Sequence, residues 1–129
     1  MAHILLVDDD ADVVSRNRVA LEASGNAVST AATTAQALEA VRSQQPELVV
    51  LEAMLDGNLA GFDLARTLAA EFPALPLIML SRVDEHLTAK ERSAQDRDDG
   101  WIPVARFMEK PISTDVLVYE VDHLVGAGH

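Results

Sequence analysis

The chain has no cysteine and no long hydrophobic run, and each absence removes a class of protein. Without cysteine there is neither a disulfide framework nor thiolate chemistry, which fits the cytoplasm. The longest apolar runs, ILLV and LVVL, are far shorter than the roughly 18 residues that span a bilayer. No charged and apolar signal segment opens the chain. We therefore expect a cytoplasmic protein that does not enter the membrane.

Basic residues are also scarce. The chain has 10 Lys and Arg residues against 21 Asp and Glu residues, and its formal net charge is -11. A domain with this charge repels DNA phosphates, so direct nucleic-acid binding is not expected. Basic protein surfaces are compatible partners.

The length and composition predict one compact domain. The chain has 129 residues, of which 49% are hydrophobic and 24% are charged, as in ordinary globular domains. A chain of this size buries about two thirds of its unfolded surface. No internal repeat or low-complexity segment divides it. We expect a single domain over residues 1–125 and a short C-terminal tail over residues 126–129.

Apolar runs alternate with segments of helical periodicity along the chain. Near-continuous apolar strands are predicted at 4–7, 48–51 and 77–80, and weaker strands at AVSTAA and VARFME. The predicted helices are 12–23, 35–43, 61–72, 85–94 and 113–125, with Gly25 as a stop and Thr33 or Thr34 as a cap. Five strands alternating with five helices predict an α/β three-layer sandwich with a parallel sheet.

Polar residues end four of the predicted strands. The acidic run Asp8 to Asp10 follows strand one, while Glu52, Ser81 and Lys110 end strands three, four and five. Ligands of open parallel sheets bind at the carboxyl ends of the strands. Carboxylates suit Mg²⁺, and a hydroxyl with an ammonium suits a phosphoryl group. One such residue alone would be a solvated loop start, but four together predict a metal and phosphoryl site.

The segments ILLVDDD, LVVLEAML, LIMLS and FMEKPI, in this order, resemble the response-regulator receiver domain of two-component signalling over nearly the whole chain. The resemblance implies a flavodoxin-like fold with five parallel strands in the order 2-1-3-4-5. In that family an Asp ending the third strand accepts phosphate from a histidine kinase while Mg²⁺ is bound. The implied protein is a signalling module and not an enzyme in the turnover sense.

The resemblance also assigns roles to single residues. Asp9 matches a direct metal ligand, Asp8 a ligand acting mainly through water, and the Met54 carbonyl a further ligand. Asp10 is instead expected to cap the first helix. The positions that contact the phosphoryl group or switch with it are Ser81, Phe107, Lys110 and Pro111. Phe107 is equally well interpreted as a packed strand aromatic.

Glu52 stands where the family has its phosphoacceptor Asp. The additional methylene moves the carboxylate toward Ser81 and Lys110, away from the geometry that aligns nucleophile, metal and phosphodonor. In this family a Glu here can mimic part of the phosphorylated state, so we expect phosphorylation-independent function. Two alternatives stay open: an inert salt bridge between Glu52 and Lys110, and a conventional Mg²⁺-dependent phosphoacceptor receiver.

Two further departures surround the site. Arg82 follows Ser81 where a small residue is usual, and it could cover the pocket, pair with Glu52 or face solvent. The separation of 29 positions between Ser81 and Lys110 is longer than usual, with the surplus around residues 96–103. Trp101 in this insertion is either buried against the domain or serves as a lid or contact anchor.

Three carboxylates close together, from Asp8, Asp9 and Glu52, repel one another, so weak Mg²⁺ binding or none is expected. Expected partners are a histidine kinase or a downstream signalling protein, and a homodimer could form through the predicted fourth helix, fifth strand and fifth helix. A remote alternative is a haloacid-dehalogenase-like phosphatase, with Asp8-x-Asp10 and Lys110 as its motif. The order of the acidic residues and the lack of room for a cap region count against it.

Overall fold

The structure is a computed structural model that describes residues 2–55, 60–81, 104–109 and 112–126. The strands are β1 His3–Val7, β2 Ala27–Ala31, β3 Leu48–Glu52, β4 Leu77–Ser81 and β5 Arg106–Glu109. The helices are α1 Ala11–Ala23, α2 Thr34–Ser43, α3 Ala60–Glu71 and α4 Thr114–Gly126. Helix α4 corresponds to the fifth helix of the sequence prediction. The predicted helix at 85–94 and the insertion at 96–103 lie outside the described residues.

The five strands form one parallel sheet in the order β2-β1-β3-β4-β5, which confirms the predicted strand order and flavodoxin-like architecture. Alternate side chains of the central strands serve opposite faces, as the pleat of a strand requires. On one face Val7, Leu51 and Met79 join the core beneath α2 and α3. On the other face Leu6, Val50 and Leu80 join the core beneath α1 and α4. The buried sheet between two helical layers explains why its strands are nearly continuous apolar runs.

Helix α1 has well-defined ends because its flanking residues satisfy the terminal backbone groups. The Asp10 carboxylate accepts hydrogen bonds from the Asp12 and Val13 amides at 3.0 and 3.3 Å, which confirms its predicted capping role. At the other end, the amide of Gly25 donates to Glu22 O and that of Asn26 to Leu21 O. This pair of bonds is a Schellman motif, and the φ of 98° at Gly25 explains the glycine.

The start of α3 differs slightly from the prediction. The helix was expected to begin at residue 61, but Ala60 already belongs to it. Helix starts are poorly fixed by periodicity alone, since the first turn carries little of the apolar pattern. In the described part of the chain, no helix is both long and apolar enough to cross a membrane.

Candidate functional site

The carboxyl ends of the parallel strands bring several of the predicted site residues to one edge of the sheet. Val7 pairs in register with Leu51, so the residues that follow them, Asp8 and Glu52, lie side by side. Glu52 pairs in turn with Leu80, which places Ser81 one position further along this edge. Arg82, Lys110 and Pro111 lie outside the described residues, as do Asp56 and Trp101.

Glu52 is buried even though it ends a strand, with 6% of its surface exposed. Its Oε2 accepts a hydrogen bond of 3.1 Å from the Met54 amide, two residues further on. A buried carboxylate is costly unless polar groups surround it, and this amide provides one such group. The side chain is therefore turned back over the start of the β3–α3 connection rather than extended into solvent.

The three consecutive aspartates have different environments. Asp8 is buried, and its Oδ1 accepts a 2.9 Å hydrogen bond from the Asp10 amide. Its own amide donates to Ala31 O of β2 at 3.1 Å, which holds the β1 end against the neighbouring strand. Asp9 is exposed, and Asp10 is used as the cap of α1. Asp8 and Asp9 therefore differ in how readily a solvated ion could reach them.

The oxygen donors at this edge are of the kind that Mg²⁺ prefers, since the ion needs one or two carboxylates and completes its shell with water. Asp8, Asp9 and the Met54 carbonyl are the residues that would hold it. Among the described residues, no group of three or more His, Cys, Asp or Glu side chains is arranged to hold a metal ion. The donor types fit Mg²⁺, while Glu52 already uses one oxygen for the Met54 amide.

Gly61, in the first turn of α3, lies directly against the backbone at the end of β3. Its amide donates a 2.9 Å hydrogen bond to Ala53 O. A Cβ at this position would lie 2.1 Å from Glu52 O and 2.6 Å from Ala53 Cα, distances that no side chain can adopt. The absence of a side chain at Gly61 therefore allows α3 to support the Glu52 backbone by direct contact.

Phe107 of β5 is half-buried and packs against the core on the α2 and α3 side. Its ring stacks on the buried ring of Phe62, with centroids 6.4 Å apart and planes at 21°. Phe62 follows Gly61, so the first turn of α3 contacts both the end of β3 and the aromatic of β5. Phe107 faces the core in this arrangement.

The outer surface of α4 carries exposed apolar side chains. Tyr119 is 67% exposed and stacks on the His123 ring with centroids 6.2 Å apart, and Val116 is 44% exposed. Arg106 of β5 donates to Glu120 at 3.0 Å, which ties this helix to the edge strand. The described part of α4 therefore exposes an aromatic side chain and is tied to β5 by a salt bridge.

Comparison with known proteins identifies the family. The response regulator receiver domain family matches residues 4–122. The chain belongs to this family. Its relatives include the nitrogen assimilation regulatory protein NtrX of Azorhizobium caulinodans, 32% identical over 123 residues, which cover 92% of this chain and 25% of NtrX. The alkaline phosphatase synthesis transcriptional regulatory protein PhoP of Bacillus subtilis is 32% identical over 110 residues, which cover 85% of this chain and 42% of PhoP.

A solved structure gives the same family. The crystal structure of the receiver domain of NtrX from Brucella abortus matches with a TM-score of 0.79 and 27% identity, covering 95% of this chain and 98% of that one. The receiver domain spans between a quarter and a half of the length of the two curated relatives above. Receiver domains are signalling modules of two-component systems that interact with histidine kinases, and they typically bind Mg²⁺ at the phosphorylation site.

Three residues of the site, namely Gly61, Phe62 and Asn17, were assigned no role from the sequence. Gly61 and Phe62 open an apolar helix and carry no local mark of their contacts, which depend on how α3 meets the sheet. Asn17 did carry a signal, because it lies between Val14 and Leu21 on the apolar stripe of α1 and is buried. A polar residue on such a stripe identifies a place where the core must provide a polar partner.

Proposed function

We propose that this receiver domain signals without being phosphorylated, with Glu52 supplying a permanent carboxylate at the acceptor position, and that it acts through protein contacts. The observation that carries the proposal is the placement of Glu52. Its side chain is buried at the end of the central strand, and its Oε2 accepts the 3.1 Å hydrogen bond of the Met54 amide.

This placement is unfavourable for acyl-phosphate formation. The acceptor carboxylate acts as a nucleophile, and nucleophile, metal and phosphodonor have to be aligned within a fraction of an ångström. Glu52 is one methylene longer than the Asp of the family, and one of its oxygens is engaged by its own loop. The same features favour a lasting negative charge at the sheet edge, as a phosphomimic requires.

The inward position of Phe107 supports the same proposal. In the family, the strand-five aromatic moves together with the hydroxyl that ends strand four when negative charge appears at the acceptor. Phe107 packs on the core and stacks on Phe62. A single partly buried charge-assisted hydrogen bond contributes about 1.5–3 kcal/mol, so Glu52 would bias the two states without locking them.

Phosphodonor labelling tests the proposal. The domain is incubated with acetyl phosphate or phosphoramidate and Mg²⁺, and its intact mass is measured beside that of Glu52→Asp. We expect no phosphate adduct on the wild-type chain, because the nucleophile is misplaced. A base-labile adduct of one phosphate on Glu52 contradicts the proposal and supports the conventional Mg²⁺-dependent receiver. Magnesium titration of both proteins, followed by NMR shifts, tests the expected weak binding, with Asp9→Ala as the ligand control.

The partner surface is proposed to be β5 and α4; the helix predicted over 85–94, which was expected to share it, lies outside the described residues. The exposed Tyr119 and Val116 support this, since aromatic side chains dominate protein interfaces. We expect Tyr119→Ser to weaken self-association or kinase binding in sedimentation experiments. Val19→Ser is the matched control, because Val19 is 65% exposed but lies on α1. Glu52→Gln keeps the shape and removes the charge, so it should weaken the same contact.

A further inference from the structure

Asn17 is a polar side chain buried within the apolar face of α1, with 6% of its surface exposed. An amide of this kind costs free energy in an apolar setting unless its donors and acceptor are satisfied. Within the described residues, no protein group forms a hydrogen bond with the Asn17 side chain. Among the described residues, His3 Nδ1 is the fully enclosed side-chain atom that lacks a hydrogen-bond partner, so the Asn17 amide is a group that water reaches.

Asn17 lines a small cavity beneath the acidic edge of the sheet. The other polar groups of the lining are the side chains of Asp8 and Glu52, and apolar residues of α1, β1, β3 and β4 complete it. The space open to the centre of a water-sized sphere is about 10 Å³. On this measure a cavity of about 10–15 Å³ holds one water molecule, provided that two to four polar groups surround it. Three polar side chains meet that condition.

We infer that this cavity binds one ordered water molecule, which links the Asn17 amide to the carboxylates of Asp8 and Glu52. The water can accept a hydrogen bond from the Asn17 NH₂ group and donate one to each carboxylate, so that it makes three of its four possible hydrogen bonds. Asn17 then acts as a positioning residue for Glu52 from the core side. The Met54 amide holds the same carboxylate from the loop side at 3.1 Å.

This inference concerns how Glu52 is held and does not depend on whether the domain accepts phosphate. It also predicts whether an apolar replacement of Asn17 raises or lowers the stability of the fold, which a simple packing role does not. If the Asn17 amide were an unsatisfied polar group, an apolar residue of similar volume would stabilise the fold. If the amide holds a bridging water, the same change removes one of the groups that hold the water shared by the two carboxylates, and it destabilises the fold.

The decisive comparison is Asn17→Leu against Ser15→Leu, an exposed position on the same helix that controls for helix propensity. We expect Asn17→Leu to lower the folding equilibrium constant about tenfold in urea titrations. We also expect it to shift the NMR resonance of the Met54 amide, which reports on the Glu52 carboxylate. Ser15→Leu should leave both unchanged. A stabilised Asn17→Leu protein with an unmoved Met54 resonance would overturn the inference.

Two measurements keep the inference testable if Asn17→Leu does not fold. The wild-type Asn17 side-chain amide should show a nuclear Overhauser effect to a long-lived water, and its absence contradicts a bound water. A Glu52→Met background lacks one carboxylate partner of the water. In that background the milder Asn17→Ser change should alter the folding equilibrium constant by less than about threefold, whereas in the wild type it should lower the constant more. Equal losses in both backgrounds would show that Asn17 and Glu52 are not coupled. Phosphodonor labelling is not used, so either proposal can fail alone.

Discussion

Gly61→Ala is the most direct perturbation of the support beneath Glu52. A Cβ at residue 61 would lie 2.1 Å from Glu52 O, whereas real Cβ contacts are essentially never below 3.0 Å. Both Glu52 O and the neighbouring Ala53 atoms belong to the backbone, so no side chain can rotate away. The first turn of α3 must instead retreat from the end of β3 by about 0.9 Å to reach that limit.

The magnitude follows from three contributions. Overpacking that shifts the backbone costs about 3 kcal/mol at the upper end of its usual range. A retreat of this size also stretches the 2.9 Å hydrogen bond from the Gly61 amide to Ala53 O, at a cost of about 1 kcal/mol. Replacing glycine by alanine within a helix returns about 1 kcal/mol through the unfolded state. We expect a net loss of about 3 kcal/mol, or roughly 11 °C in melting temperature.

Gly25→Ala separates this effect from the general cost of losing a glycine. Gly25 has a φ of 98°, but a Cβ there meets no atom within 4 Å, so its change costs about 1 kcal/mol of backbone strain alone. Urea unfolding gives the two losses, and the NMR resonances of Ala53 and Met54 show where the structure moves. Those resonances should shift in Gly61→Ala and stay in place in Gly25→Ala. A Gly61→Ala protein as stable as the wild type, with unmoved resonances, would refute the packing argument.

Two further predictions test contacts on the same side of the sheet. Phe62→Leu removes the ring stacked on Phe107. We expect it to lower stability by about 0.5–1.5 kcal/mol in addition to the effect of the lost buried area, and to alter the ring resonances of Phe107. Unaltered ring resonances would show that Phe62 does not position Phe107. Hydrogen bonds from Arg42 lower the pKa of Glu71, so this pair stabilises the fold above the ordinary Glu71 value of 4.5 and loses its effect as the pH falls through the lower, folded value. The stability difference between wild type and Glu71→Gln, measured by urea titration at several pH values, should therefore diminish in acid, and a difference that grows in acid contradicts the assignment.

The fold was predictable because its signals are local and repeated. The apolar runs ending at Val7, Leu51 and Leu80 mark buried parallel strands, and Asp10 and Gly25 mark the ends of α1. Pairing of strands is not local, however, and their order came from the family resemblance rather than from periodicity. The start of α3 was misplaced by one residue, since Ala60 has nothing in its chemistry that distinguishes a loop from a helix.

The candidate site was predictable at the level of strand ends and not at the level of contacts. Parallel strands end at one edge of a sheet, and this rule places Asp8 beside Glu52. The pairing of Val7 with Leu51 agrees with it. The bond from Met54 to the Glu52 carboxylate depends on a side-chain rotamer, which no sequence pattern specifies. The close approach of Gly61 depends on the distance between a helix and a sheet, and this too arises from packing alone.

The adjacency of Gly61 and Phe62 creates a physical connection between Glu52 and Phe107. Gly61 rests on the backbone of Glu52, and Phe62 stacks on Phe107, so a shift of the strand end carries the Phe62 ring with it. Packed interiors transmit such shifts because they contain little free volume. A change of charge that leaves the backbone in place, such as Glu52→Gln, would not use this route. If Gly61→Ala moves Phe107 and Glu52→Gln does not, the strand backbone couples the two positions; if Glu52→Gln alone moves it, the carboxylate itself does.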